Sequence, residues 1–160
     1  MRLKDKVALL CGCGYQPAPE GLGDDGKPVL GNGAAIALLF AREGAKVIVL
    51  DVDAQAAART VALLAAEGLA CGTRIADVTD SAALKQAVES VVAEYGRIDV
   101  LQNNVGITAM GGAVEESEES WRHVIETNLS GVFYACKHVL PHMVRQGGGA
   151  IVNTSSIAAV

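Results

Sequence analysis

CGCGYQPAPEGLGDDGKPVLGNG, residues 11–33, separates the apolar run Lys6-Val-Ala-Leu-Leu-Cys11 from the helix-like run Ala34-Ala-Ile-Ala-Leu-Leu-Phe-Ala41. At least three phosphate-loop patterns can be drawn through it, using different glycines. The literal G-x-G-x-x-G is Gly21-Leu-Gly23-Asp-Asp-Gly26. That pattern works only where its first glycine ends a strand and its last opens a helix, and here two aspartates would face a diphosphate. Gly21 to Lys27 nearly spells the P-loop, but Pro28 stands where a hydroxyl for magnesium is needed, and it carries no N–H for a phosphate oxygen.

The glycines with suitable neighbours are Gly12 and Gly14, after the first apolar run, and Gly31 and Gly33, flanking Asn32 before the helix-like run. Together they supply a tight turn, a side-chain-free approach and a helix N-terminus whose open N–H groups suit a diphosphate. Residues 15–30 are then an insertion between two halves of one motif. Pro17, Pro19 and Pro28 keep it out of regular structure, and lengthening a loop costs only about 0.6 kcal/mol per doubling.

Downstream, strand-like and helix-like segments alternate. Lys46-Val-Ile-Val-Leu-Asp51 reads as a second strand, and Asp53 caps a helix that runs to Gly68. Residues 70–76 form a weaker third strand, suited to a sheet edge. Asp80 caps a helix with Leu84, Val88, Val91, Val92 and Tyr95 on one stripe, closed by Gly96. Arg97-Ile-Asp-Val-Leu101 is a fourth strand. The acidic run Glu115-Glu-Ser-Glu-Glu119 suits the first turn of a long helix through its dipole, with Trp121, Val124, Ile125, Leu129, Val132, Phe133, Cys136 and Leu140 as its apolar stripe. A fifth strand starts at Ile151. Such alternation requires a parallel sheet with right-handed crossovers and helices on both faces.

Asp51 ends the second strand, where a carboxylate accepts both hydroxyls of an adenosine ribose and repels a 2′-phosphate. No Arg or Lys follows in Val52-Asp53-Ala-Gln55 to reverse this preference for NAD over NADP.

Composition agrees with one ordinary domain spanning 1–160: 160 residues, 51% apolar and 19% charged. A net charge of −5 without clustered Lys or Arg argues against a nucleic-acid surface, so no DNA or RNA partner is expected, and no apolar run approaches membrane-spanning length. The N-terminal segment is too short in its apolar part for a signal peptide. Cys11, Cys13, Cys71 and Cys136 lack metal or redox spacing and read as small buried thiols of a cytoplasmic protein. His138 and His142 have i, i+4 spacing but no third ligand, so no metal is expected.

Four blocks now stand in order: Gly12 with Gly31-Asn-Gly33, Asp77-Val78, Asn103-Asn-Val-Gly106 and Asn153-Thr-Ser-Ser156. In this the chain resembles the short-chain dehydrogenase/reductase family over nearly its whole length. The resemblance implies a Rossmann-type doubly wound α/β sheet of strand order 3-2-1-4-5, and hydride transfer between NAD and a small alcohol or carbonyl substrate. Asp77 and Val78 match the family's adenine-binding residues; Asn104, Val105 and Gly106 match those lining the cofactor. Asn128 and Ser156 match two active-site positions, an Asn that holds a proton-relay water and a Ser that hydrogen-bonds the substrate oxygen. Family members commonly form homo-oligomers, pairing through the long helix.

The chain departs from the family in reaching Val160 before any Y-x-x-x-K, the pair that shuttles the proton, so the sheet is expected to be incomplete on its C-terminal side. The 160 residues by themselves are therefore expected to be inactive, and a non-catalytic dinucleotide-binding or interaction module is the alternative reading. Val105 also stands where the family has alanine, and Cys11 and Cys13 where it favours threonine and small polar residues.

Overall fold

A computed structural model of the chain describes residues 1–16, 30–109 and 111–156. In order, the elements are β1 (Val7–Cys11), α1 (Asn32–Arg42), β2 (Lys46–Asp51), α2 (Ala54–Ala65), β3 (Cys71–Ile75), α3 (Ser81–Tyr95), β4 (Val100–Asn103), α4 (Glu118–Ile125), a π-helical turn (Glu126–Ser130), α5 (Gly131–Arg145) and β5 (Ala150–Asn153). The strands form one parallel sheet in the order β3-β2-β1-β4-β5. The expected strand order is thus observed. Of the expected 15–30 insertion, and of both rejected glycine patterns, residues 17–29 lie outside the described residues.

Period-two alternation divides the buried strands between two cores. Val7, Leu9, Cys11, Ile48 and Leu50 face α3 and α5, where they meet Leu84, Val88, Val91, Ala135 and Val139. Ala8, Leu10, Val47 and Val49 face the opposite way, onto Ala37, Leu38, Ala57 and Leu64 of α1 and α2. Three helix ends lie where the sequence places their caps, whereas α2 stops at Ala65, short of Gly68. Asp53 accepts from the N–H groups of Gln55 and Ala56, Asp80 from those of Ala82 and Ala83, and Gly96 closes α3 at φ +80°.

Three local readings are corrected. Helix α1 begins at Asn32 rather than Ala34, capped by the backbone of Gly31. Strand β4 covers 100–103 rather than 97–101, because its polar end is satisfied across the sheet: Gln102 Nε2 donates to Thr154 Oγ1 at 2.9 Å and Asn103 Nδ2 to Asn153 Oδ1 at 2.9 Å. The long helix is divided by the π turn, and its buried row is Thr127, Gly131, Ala135, Val139 and Met143. Trp121, Leu129, Phe133 and Leu140 of the expected apolar stripe point outward. The small residues face inward because the helix lies close to the β3–α3 loop: a Cβ on Gly131 would sit 2.8 Å from Val78 Cγ2.

At the amino end of the sheet, Asp99 is 7% exposed and ties β1 to β4. It accepts from Val7 N at 2.9 Å, receives both arms of Arg97 and pairs with Lys6 Nζ at 3.5 Å. Burial opposes its ionisation, but the Arg97 and Val7 hydrogen bonds and the Arg97 and Lys6 charges together hold its pKa below the ordinary carboxylate value. A depressed folded-state pKa adds stability above the unfolded value of about 3.9, and that stability is lost as pH falls through the lower folded value. Asp99→Asn should therefore lower unfolding free energy at neutral pH by about 1–3 kcal/mol. The gap to wild type should close below about pH 4 in denaturant titrations, and a gap independent of pH would contradict this account.

Candidate functional site

A cleft of about 530 Å³ opens at the carboxyl ends of β1, β2 and β4. Sheet order creates it. Consecutive connections leave β1 toward β2 on one side while β4 lies on the other, so the loops diverge there. Of the residues expected from the sequence, Gly12, Gly14, Asp51, Asp77, Val78, Asn104, Val105 and Gly106 line this one cleft.

The glycine turn is held from several sides. Gly12, at φ +70°, donates its N–H to Leu50 O at 2.8 Å, and its carbonyl accepts from Asn104 Nδ2 at 2.9 Å. The amide orientation of Asn104 is enforced by a directed chain. Gln102 Nε2 can only donate, so the Thr154 hydroxyl accepts from it and spends its own hydrogen on Asn104 Oδ1 at 3.1 Å. Asn104 Nδ2 is thereby turned toward Gly12. Gly14 N donates to Asp51 Oδ2 at 2.8 Å, and Thr60 Oγ1 donates to Cys13 O at 3.0 Å.

The second half of the motif docks directly on the first. A Cβ on Gly33 would lie 2.7 Å from both Cys13 Cα and Gly12 O, so the head of α1 and the end of β1 are in contact. Among the described residues, nothing lies within 4 Å of the Cβ position of Gly31, and that of Gly106 meets only Asn128 Oδ1, at 4.0 Å. Asn32 is the first residue of α1.

Asn128 sits in the π turn and makes a reciprocal pair with the loop after β4, accepting from Ile107 N at 2.9 Å and donating to Ile107 O at 2.8 Å. An extra residue per turn re-aims side chains, and such turns recur at functional sites. Ser156, exposed and three residues beyond β5, does not line the cleft. Asp77 accepts from the Thr79 N–H and hydroxyl, which fixes its carboxylate at the cleft's far side.

Sequence reasoning missed Gln16, Ile107, His123 and Thr127, which also line the cleft. Gln16 could have been suspected from its place just beyond the glycine turn; His123 and Thr127 carry no local signal and arrive through the packing of α4 and the π turn. Among the cysteines, burial first, then the Cys136 and Asp51 charges, pushes Cys11 up to about 12, and burial raises Cys13, Cys71 and Cys136 as well. These thiols stay protonated. Cys11 and Cys13 are buried as expected, whereas Cys71 and Cys136 are only half-buried. His138 Nε2 pairs with Ser81 Oγ at 3.0 Å and His142 Nδ1 with Arg145 at 2.8 Å.

The short chain dehydrogenase family model matches residues 30–160. The 3-oxoacyl-[acyl-carrier-protein] reductase FabG of Thermotoga maritima is 41% identical, across 100% of this chain and 59% of that protein. The D-threitol dehydrogenase of Mycolicibacterium smegmatis is 38% identical, across 99% and 55% respectively. A crystal structure of a short-chain dehydrogenase/reductase from Burkholderia xenovorans superposes with a TM-score of 0.89 at 44% identity, covering 99% of this chain and 59% of that one. The chain thus spans little more than half the length of these relatives.

Proposed function

The chain belongs to the short chain dehydrogenase family, and from that premise we propose that its cleft holds NAD for hydride exchange with a small alcohol or carbonyl compound. One observation carries the cofactor reading: Asp51 ends β2 on the wall of the cleft, and among the described residues no lysine or arginine lines that cleft. A ribose with two free hydroxyls suits this carboxylate; a 2′-phosphate does not. Among the described residues, the sparse surroundings of Gly31 and Gly106 suit a diphosphate and a nicotinamide that approach the backbone closely.

When bound, the dinucleotide supplies the hydride acceptor or donor, and the residues of the chain bind and orient. Gly12, Gly14, Gly31, Asn32 and Gly33 form the diphosphate cradle. Asp77 and Val78 flank the adenine, while Asn104, Val105 and Gly106 back the nicotinamide half. In this proposal Asn128, braced by Ile107, holds a water in the proton path, and Ser156 hydrogen-bonds the substrate oxygen.

Calorimetric titration tests the cofactor reading. NAD should bind at least about tenfold more tightly than NADP, since a 2′-phosphate would face the Asp51 carboxylate. Equal affinities would end the NAD preference, and failure of both to bind would end the dinucleotide reading altogether.

Turnover is a separate matter. Among the described residues no tyrosine lines the cleft; Tyr134 directs its hydroxyl at Glu126 Oε1, and Tyr95 packs against the core beneath β3. This favours a binding role for these 160 residues taken alone, without proton transfer. A hydride-transfer rate above buffer background, followed at the nicotinamide absorbance, would refute it.

A further inference from the structure

Among the described residues, Arg59, on the second turn of α2, is a cation joined by hydrogen bonding to the ribose end of the cleft. Its Nε donates to Tyr15 O at 2.7 Å, and Nη2 donates to Gln16 Oε1 at 3.0 Å and lies 3.7 Å from Asp53 Oδ2. Gln16 lines the cleft beside Asp51, and its Nε2 closes a triangle by donating to Asp53 Oδ2 at 3.2 Å. The two oxygens of Asp53 therefore have separate tasks. Oδ1 caps α2 by accepting from Gln55 N at 2.8 Å and Ala56 N at 3.1 Å. Oδ2 grips Gln16 and Arg59.

We propose that Asp53 is a second determinant of cofactor choice: its Oδ2 holds Arg59 against the root of the glycine loop and withholds that guanidinium from a 2′-phosphorylated adenosine. The inference rests on the dinucleotide reading above and adds to it a cation that the sequence does not place near the ribose, since Arg59 lies beyond the segment directly after Asp51.

Three features support the assignment. Geometry comes first: the Arg59 guanidinium donates to the side-chain oxygen of Gln16, and Gln16 itself lines the cleft. Charge comes second. With Arg59 paired to Asp53 at 3.7 Å, the ribose end presents the Asp51 carboxylate with no lysine or arginine among the described residues of its lining. Third, Asp53 remains ionised at neutral pH, because the Ala56 N–H, then Gln16 and the Gln55 N–H, lower its pKa. Arg59 is the better residue for this task than lysine, because its planar fork can exchange two acceptors for two phosphate oxygens.

Asp53→Asn is the informative variant. Asn keeps the capping oxygen and remains a favoured N-cap, while its NH₂ group replaces the acceptor that grips Gln16 and Arg59. Calorimetric titration of wild type, Asp53→Asn and the double variant Asp53→Asn/Arg59→Gln with NAD and with NADP should show the NADP-to-NAD affinity ratio rise about three- to tenfold in the single variant, as expected for one charge at several ångströms near a surface. The ratio should return to the wild-type value in the double variant. A single-variant ratio within twofold of wild type, or a gain that persists without Arg59, overturns the proposal. Should Asp53→Asn fail to fold by circular dichroism, Asp53→Ser, which caps through one oxygen and has no second arm, carries the same expectation and the same refutation. A wild type that binds neither dinucleotide defeats the parent reading; a wild type that prefers NAD while the ratio stays fixed in the variants defeats this inference alone.

Discussion

Gly33→Ala should cost about 2–4 kcal/mol of stability, seen as a melting temperature lower by about 10 °C, and should remove most dinucleotide affinity. The added methyl would lie 2.7 Å from Cys13 Cα and Gly12 O and 3.0 Å from Asn104 Nδ2. The first two are backbone atoms, one of them in the carbonyl that Asn104 grips, so no side-chain rotation relieves the contact. Either α1 moves away from β1, or the Asn104–Gly12 hydrogen bond breaks and the directed chain from Gln102 through Thr154 loses its purpose. Gly31→Ala is the control. With no described residue within 4 Å and φ −62° it should leave the melting temperature unchanged, while a methyl in the diphosphate approach weakens binding. Equal melting of Gly33→Ala and wild type would mean that the two halves of the motif are not in contact, and the cradle would have to be abandoned.

Asp51→Ala should weaken NAD binding about 100-fold, the equivalent of about 3 kcal/mol for two hydrogen bonds to a charged acceptor. It should also abolish discrimination against NADP. The carboxylate does two things at once. Its Oδ2 accepts from Gly14 N at 2.8 Å and its Oδ1 from Asp53 N at 3.1 Å, so it holds the glycine loop as well as offering lone pairs to a ribose. NAD affinity in the variant should consequently fall further than NADP affinity, and the Gly14 amide should exchange faster with solvent. A loss of less than threefold, with unchanged exchange, would place the ribose elsewhere.

The cleft is a consequence of parallel-sheet topology, and much of it was legible in the chain. Asp53, Asp80, Gly96 and the strand ends at Cys11 and Asp51 stood where their local chemistry predicted, because caps, left-handed glycines and period-two apolar runs act over a few neighbouring residues. Gly12 and Gly33 are likewise legible locally, since each glycine adjoins the element that it serves. The end of β4 was misplaced for the opposite reason. Gln102 and Asn103 look like loop residues until Thr154 and Asn153, fifty positions away, satisfy their amides.

The long helix gives the same lesson from its other side. Apolar periodicity marked the row containing Trp121, Leu129 and Phe133, yet the buried row is Thr127, Gly131, Ala135, Val139 and Met143, chosen by the closeness of Val78 and of the sheet. Hydrophobic pattern reports where apolar residues recur, not which partner is near enough to require small residues.

From the residues alone came the alternation of strands and helices, the parallel sheet, the glycine pairing and the carboxylate at the end of β2, all of them products of short-range stereochemistry and burial. The tertiary structure alone decided that Asn104 is oriented by Thr154, that Asn128 leaves its helix in a π turn to brace Ile107, and that Arg59 is held by Asp53 against Gln16. Each of the first two joins groups brought together from distant parts of the chain, and the third ties a helix to the glycine loop; a hydrogen bond or ion pair of this kind exists only once the sheet has brought its partners within about 3–4 Å.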